Sequence, residues 1–262
     1  MSINKILIPF DFSEASVNAL EYAITFVGPT RSIELQALYV SAMPITENQE
    51  GTLKAEFDQL VSSRDGKTKK KPIFSTVTGD VIESILGAQD QSGSDLVLMG
   101  TMGDKVTDEA ITNTSRLVLE ANCSVISIPF GSPVKVPKDI ALVMGREEID
   151  DKDVLKTLLD IARTFDSRVH VLTIYKESVY AEESVVDSTE NLLEYYLEHF
   201  YEEHAFSKNQ DVEEGILEYI TKKNIDLLAI LPRNHTQMST PSEGRLTKLL
   251  TLHSEVPVLS LD

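Results

Sequence analysis

The chain has 262 residues, 42% of them hydrophobic, with 42 acidic side chains against 24 basic ones and a formal net charge of −18. This is enough apolar material for one large core or two small ones, and the negative balance excludes a sequence-independent grip on nucleic acid or an anionic membrane, both of which need clustered Lys and Arg. The single cysteine, Cys123, excludes an intrachain disulfide or a cysteine-based metal cluster, as suits a reducing compartment, and is expected to be a buried, inert thiol.

The first element is KILIPF, a continuous apolar run of the kind made by a strand covered on both faces. Its apolar core, Ile6 to Phe10, is ended by Asp11 and is too short for a signal-peptide core; no apolar run approaches the roughly 18 residues of a spanning helix, so a soluble, cytoplasmic protein is expected. DFSEASVNALEYAITFV follows as a helix, capped by Ser13 or Asp11, with Ala15, Ala19, Leu20, Ala23, Ile24 and Val27 at helical spacing. IELQALYV reads as a strand, LKAEFDQLVSSRD as a helix, and KTKKKP, the one basic run, as a solvated loop. PIFSTVTG and DLVLMG are strands separated by the helix DVIESILGAQDQ, and TSRLVLEAN leads as a helix into the strand SVISIPF. Alternating strands and helices imply a parallel sheet with helices on both faces.

After the connector GSPVKVPKD the same order begins again. IALVMG repeats KILIPF, DVLKTLLDIARTF the first helix, RVHVLTIY the second strand, NLLEYYLEHFYEEHAF the second helix and VEEGILEYITKKN the third. IDLLAIL repeats SDLVLMG, and VPVLSL repeats CSVISI. Ile6 pairs with Ile140 at an offset of 134, Asp95 with Asp226 at 131 and Val125 with Val258 at 133, a period that marks a duplicated domain and not a solenoid. The division expected is a first domain over 1–132, a linker over 133–138 and a second domain over 139–262.

The stretches ILIPFDFSEASVNALEYA, DLVLMGTMG and the terminal unit ending in SVISIP resemble the universal stress protein family in its tandem, two-domain form, strongly in the first half and more weakly in the second. The resemblance implies two α/β domains, each a doubly wound, five-stranded parallel sheet of the adenine-nucleotide alpha hydrolase-like type, arranged as a pseudo-symmetric tandem repeat. It also implies a stress-response protein that binds a ligand and does not turn it over, with ATP or AMP in the pocket and Mg²⁺ if the ligand is ATP. Laid on this sequence, the family's nucleotide site falls on Pro9 and Asp11 after the first strand, Val40 at the end of the second, and Met99, Gly100 and Gly103 leaving the fourth. Gly100 and Gly103 open the family's G-x2-G-x9-G-[S/T] motif, whose glycines let backbone N–H groups approach phosphate and whose last pair sits at a helix N-terminus.

Counting nine residues on from Gly103 puts Asn113 and Thr114 where Gly-Ser is expected; counting back from the last strand puts Ile111 and Thr112 there, with a shorter loop. The second register also accounts for the rise in repeat offset and is preferred. Under both, the third glycine is absent, and Thr112, Asn113, Thr114 and Ser115 remain as donors, so a degenerate pocket is expected. In the second half Leu231, Asn234, Gly244 and Arg245 keep the spacing with only the last glycine, and Gly145 replaces Asp11; Arg233, Asn234, His235 and Arg245 form either a different anion pocket or ordinary surface loops.

Other chemistry is sparse. On a helix, His199 and His204 of EHFYEEH would lie about 140° apart, unlike a zinc-binding His pair, and the segment reads as a solvated acidic face. Tyr195, Tyr196, Phe200, Tyr201 and Phe206 read as an aromatic cluster on that same helix, packing against the sheet or the partner domain. There is no G-x-S-x-G elbow and no G-x4-G-K-[S/T] loop. The alternatives left open are a slow ATPase or nucleotidyl-transfer enzyme using Asp11, Asp104 and Asp108, and a sensor of a non-nucleotide ligand at the domain interface. Expected partners are an adenine nucleotide or other small ligand, with no nucleic acid and no membrane. The two halves, or two chains in a homodimer, are expected to pack through their last strands.

Overall fold

The computed structural model describes residues 3–102, 112–144, 152–175, 193–231 and 245–261. The chain divides into two compact units, Met1–Lys135 with Thr251–Glu255, and Val136–Leu250 with Val256–Asp262.

In the first unit the elements are β1 (Lys5–Pro9), α1 (Glu14–Val27), β2 (Glu34–Ser41), α2 (Glu47–Ser62), β3 (Ile73–Thr78), α3 (Val81–Ser92), β4 (Leu96–Thr101), α4 (Asn113–Glu120) and β5 (Val125–Pro129). The strands pair in the order β3-β2-β1-β4-β5, all parallel. The chain therefore reverses its direction of winding between β1 and β4. In open α/β sheets the crevice beyond the strand C-termini at such a switch point is where ligands bind.

Each helix starts where its sequence supplies a cap. Ser13 caps α1, accepting from the Ser16 N–H, and every apolar position expected to be buried on that helix is buried. Thr46 and Gln49 form a reciprocal capping box that starts α2 earlier than its apolar pattern suggests, and Asp80 caps α3 through the N–H groups of Ile82 and Glu83. One face of the sheet presents Leu7, Leu38, Val97 and Val125 to Ile82 and Ile85 of α3 and to Leu117 and Val118 of α4. Burying each such side chain stabilises the fold by about 1.5–3 kcal/mol relative to exposure. Cys123 is half-buried at the margin of this cluster, not fully enclosed.

The second unit runs β6 (Asp139–Val143), a short 3₁₀ turn (Lys152–Leu155), α5 (Lys156–Phe165), β7 (Arg168–Tyr175), α6 (193–197), a 3₁₀ turn (Glu198–Phe200), β8 (Tyr201–Lys208), α7 (Val212–Lys223), β9 (Leu227–Ile230), α8 (Arg245–His253) and β10 (Val258–Ser260). Its strands pair in parallel in the order β8-β7-β6-β9-β10, repeating the first unit.

Here one sequence-based element is corrected. NLLEYYLEHFYEEHAF is not one helix: its described part is helical only to Leu197, turns through Phe200 and continues as β8. The segment alternates half-buried and exposed residues, as a strand pairing on one side does, and its register on β7 shifts between Val169 and His170. The expected aromatic cluster is divided accordingly. Tyr195 and Tyr196 lie on α6 with Tyr195 77% exposed, Phe200 is buried in the turn, and Tyr201 and Phe206 lie on β8.

Two contacts show how closely the duplication holds. Asp95 Oδ2 accepts from the N–H groups of Asn4 (2.8 Å) and Lys5 (3.0 Å); Asp226 Oδ2 accepts from those of Lys138 (2.8 Å) and Asp139 (3.0 Å). Each carboxylate ties the start of the fourth strand of its unit to the entrance of the first. Directly across the first strand pair, Lys5 opposes Glu34 at 3.1 Å in one unit, while Asp139 opposes Arg168 at 2.7 Å in the other, with the charges exchanged.

Candidate functional site

The site builds outward from the end of β1. Pro9 is buried, and the Phe10 N–H reaches the Leu38 carbonyl of β2 at 2.8 Å, carrying the pairing one residue beyond the strand. Asp11 then emerges at the surface. Its Oδ1 accepts from the Ser13 N–H (3.0 Å) and the Ser13 hydroxyl (2.5 Å), while its own N–H donates to Ser16 Oγ (3.3 Å). Ser13 Oγ in turn accepts from the Ser16 N–H (3.2 Å), linking the carboxylate to the N-terminus of α1. Partial burial pushes the Asp11 carboxyl up, but hydrogen bonds from the Ser13 hydroxyl and N–H and from the first turn of α1 outweigh it, and the pKa lies below the ordinary value. The charge is thus fixed at a helix N-terminus, whose dipole favours an anion.

Between Asp11 and Ser13 stands Phe12, at φ +64°. A bulky L-residue in the left-handed region is strained by about 1–2 kcal/mol. The offset is visible: the Phe12 ring lies 4.9 Å from that of Phe10, 6.1 Å from Tyr39 and 6.0 Å from Phe74. Phe57 of α2 closes the cluster from below against Phe10 and Phe74. Aromatic pairs contribute about 0.5–1.5 kcal/mol each beyond their burial, so three of them outweigh the backbone strain.

Val40 and Met99 bring the second and fourth strands to the same crevice. Both are half-buried against the cluster containing Leu7, Leu38, Val97 and Leu117, so they supply one apolar floor. The next residue, Gly100, has a structural task beside the one its motif suggests. A Cβ there would lie 2.2 Å from the Ala15 carbonyl oxygen and 3.1 Å from the Ser16 nitrogen. Its backbone packs directly on the first turn of α1.

At the far side of the crevice Thr112 is the N-cap of α4. Thr112 Oγ1 accepts from the Ser115 N–H (3.0 Å), and Ser115 Oγ stands 3.0 Å from both the N–H and the carbonyl of Thr112. Thr114 and Ser115 are buried, and the Thr114 hydroxyl reaches the Gly100 carbonyl at 3.5 Å. Asn113 is exposed at the first helical position. Gly103, Asp104, Asp108 and Ile111 lie outside the described residues, as do Gly145, Arg233, Asn234, His235 and Gly244 of the second unit; Leu231 and Arg245 flank the last stretch.

One polar centre was not read from the sequence. His170 of β7 is buried at 6% exposure, with Nε2 3.0 Å from Asp139 Oδ1 and Nδ1 3.3 Å from Glu203 Oε1. Tyr219 donates to the same Glu203 oxygen (2.9 Å), and Lys223 lies 2.6 Å from it. The Lys223 hydrogen bond, with those of Tyr219 and His170, overcomes burial and holds the Glu203 carboxyl down at about 2. These groups sit near the strand N-termini of their own unit and tie β6, β7, β8 and α7 together. Only Glu203 shares the EHFYEEH segment. His199 packs on Phe200 in the turn and His204 meets Thr173 Oγ1 at 3.0 Å, so the two histidines share no helix. Among the described residues no group of three or more His, Cys, Asp or Glu is arranged to hold a metal ion.

A cavity of about 200 Å³ lies elsewhere, between the C-terminal ends of α1 and α2 and the loop before β3. Its cations are already neutralised, Arg64 by Glu21 and Lys71 by Asp58, and it has no relation to the Asp11 crevice.

Residues 2–129 match the universal stress protein family. That match spans the first unit, which is a universal stress protein domain. The whole chain is similar in fold to a universal stress protein from Archaeoglobus fulgidus DSM 4304, with a TM-score of 0.71, 17% identity, and 99% of this chain and 98% of that one covered. A functionally unknown protein from Pseudomonas aeruginosa PAO1 aligns with a TM-score of 0.67 and 14% identity over 99% and 92%. The tandem α/β architecture is therefore shared along the full length. No curated protein matches the sequence. No described helix is long and apolar enough to cross a membrane.

Proposed function

We propose that the first unit is a binding module for adenosine or an adenosine monophosphate, and that the protein reports the ligand's presence in a stress response and does not turn it over. The carrying observation is Asp11. One oxygen of its carboxylate is anchored on the Ser13 N–H and hydroxyl, and the residue is exposed at the end of β1. An ionised carboxylate so fixed, at the switch point and beside the apolar floor of Val40 and Met99, suits an aromatic base with a hydroxyl-bearing ribose.

The state of α4 argues for few phosphates. Of the N–H groups that its N-terminus offers an anion, that of Ser115 is taken by the capping box. Those of Asn113 and Thr114 remain, a donor set that suits one phosphate better than three. Magnesium would enter only with ATP. The second unit, with Gly145 in the position of Asp11, is a scaffold partner in this reading.

Calorimetric titration with adenosine, AMP and MgATP tests the proposal. AMP is expected to bind at about one per chain and at least as tightly as MgATP, with Asp11→Ala weakening it at least about tenfold, or about 1.4 kcal/mol. No heat from any of the three at millimolar concentration would overturn it.

A further inference from the structure

We propose that Phe12 is a positioning residue for the Asp11 site: its left-handed backbone, held by its ring, sets the aspartate carboxylate on Ser13 and so fixes its orientation toward a ligand. The Ser13 N–H and hydroxyl reach Asp11 Oδ1 across a single intervening residue. That residue's backbone angle therefore decides whether the contact forms. Glycine or asparagine would adopt φ +64° with least strain, yet this chain carries phenylalanine there and wedges its ring among Phe10, Tyr39 and Phe74. The cluster is anchored on β2, β3 and α2, so the orientation of a surface carboxylate is referred to three rigid elements. Partly buried strain beside a candidate ligand group is where pre-organisation is expected.

This inference rests on the proposed reading of Asp11 as the ligand's acceptor, but half of its test does not. Four variants all remove the ring: Phe12→Gly and Phe12→Asn accept the left-handed region, while Phe12→Val and Phe12→Thr, branched at Cβ, resist it. Two readouts are taken on each, the Asp11 carboxyl titration by carbon-13 NMR and AMP binding by calorimetry. Loss of ring packing alone would change all four alike. The expected result is a division by backbone class. The Gly and Asn variants keep the Asp11 midpoint below the ordinary carboxylate range, and the Val and Thr variants bring it up into that range with at least about a tenfold loss of AMP affinity relative to the first pair. Four variants with the same Asp11 midpoint, whether low or raised, would overturn the role of Phe12. If neither the parent protein nor any variant binds AMP, the functional proposal fails, and the Asp11 midpoints still decide whether Phe12 positions the carboxylate.

Discussion

Gly100 rests against Ala15 so closely that a single added carbon on the glycine would fall 2.2 Å from the alanine carbonyl oxygen. Both partners are backbone, so no side-chain rotation can relieve the clash. Gly100→Ala is expected to destabilise the protein by about 3 kcal/mol or more, at the upper end of overpacking costs, because α1 must move off β4. Urea unfolding measures this. An unchanged midpoint would show that the close approach is not maintained in solution. Ligand loss in any Gly100 variant reports a displaced helix and says nothing of phosphate contacts.

Ser13 is expected to couple helix stability to the charge of Asp11. Ser13→Ala removes the N-cap acceptor of α1 and the hydroxyl donor to Asp11, and should cost about 1 kcal/mol. The sign of the pH effect follows from the depressed Asp11 pKa: its contribution is present above the unfolded value of about 3.9 and is lost as pH falls below it. In Ser13→Ala the Asp11 midpoint should therefore rise, and the acid-side fall in stability assigned to this residue should shrink. Carbon-13 titration of both proteins checks it.

Asp95 and Asp226 make the same pair of backbone contacts in their two units. Replacing either by Ala strands two N–H groups at the entrance of a central strand and is expected to cost about 2 kcal/mol. Denaturant unfolding of each variant should show losses of similar size. A negligible loss at one of them would mean that its strand entrance is held by other contacts.

Acid should loosen the second unit through Glu203. Its pKa is held down at about 2 by Lys223 first, then Tyr219 and His170, so the stability it confers is complete above the ordinary glutamate range and fades as pH falls toward 2. The side chain is 39% exposed, and solvent screening limits the effect to about 1 kcal/mol. Thermal midpoints between pH 6 and pH 2.5 should fall less steeply in Glu203→Gln than in the parent. Identical slopes would remove Glu203 from the account.

Much of this could be read in the sequence for identifiable reasons. Fully buried parallel strands such as KILIPF and SDLVLMG announce themselves as unbroken apolar runs, and the period of about 130 residues needs no contact information. What escaped was set by pairing. Strand β8 is half-polar, and the glutamates and histidine of YEEHAFSK mimic helical spacing; their partners, His170 and Thr173 of β7 with Tyr219 and Lys223 of α7, come from elsewhere in the chain. The early start of α2 was legible, since Thr46 and Gln49 stand at capping-box spacing, but the apolar pattern begins later and drew the boundary with it. Gly100 illustrates the remaining gap: a motif glycine can be required by a phosphate or by a helix, and the helix requirement shows only once Ala15 is placed against it.

The exchanged charges of the first strand pair bear on how a duplicated chain avoids confusing its halves while folding. If β1 paired in error with β7, Lys5 would face Arg168; if β6 paired with β2, Asp139 would face Glu34. Like charges directly opposed across a parallel pair are unfavourable, and tandem repeats are prone to such misassembly. Two ion pairs that add little to the finished fold would thus be lost, and replaced by repulsion, in either exchanged pairing.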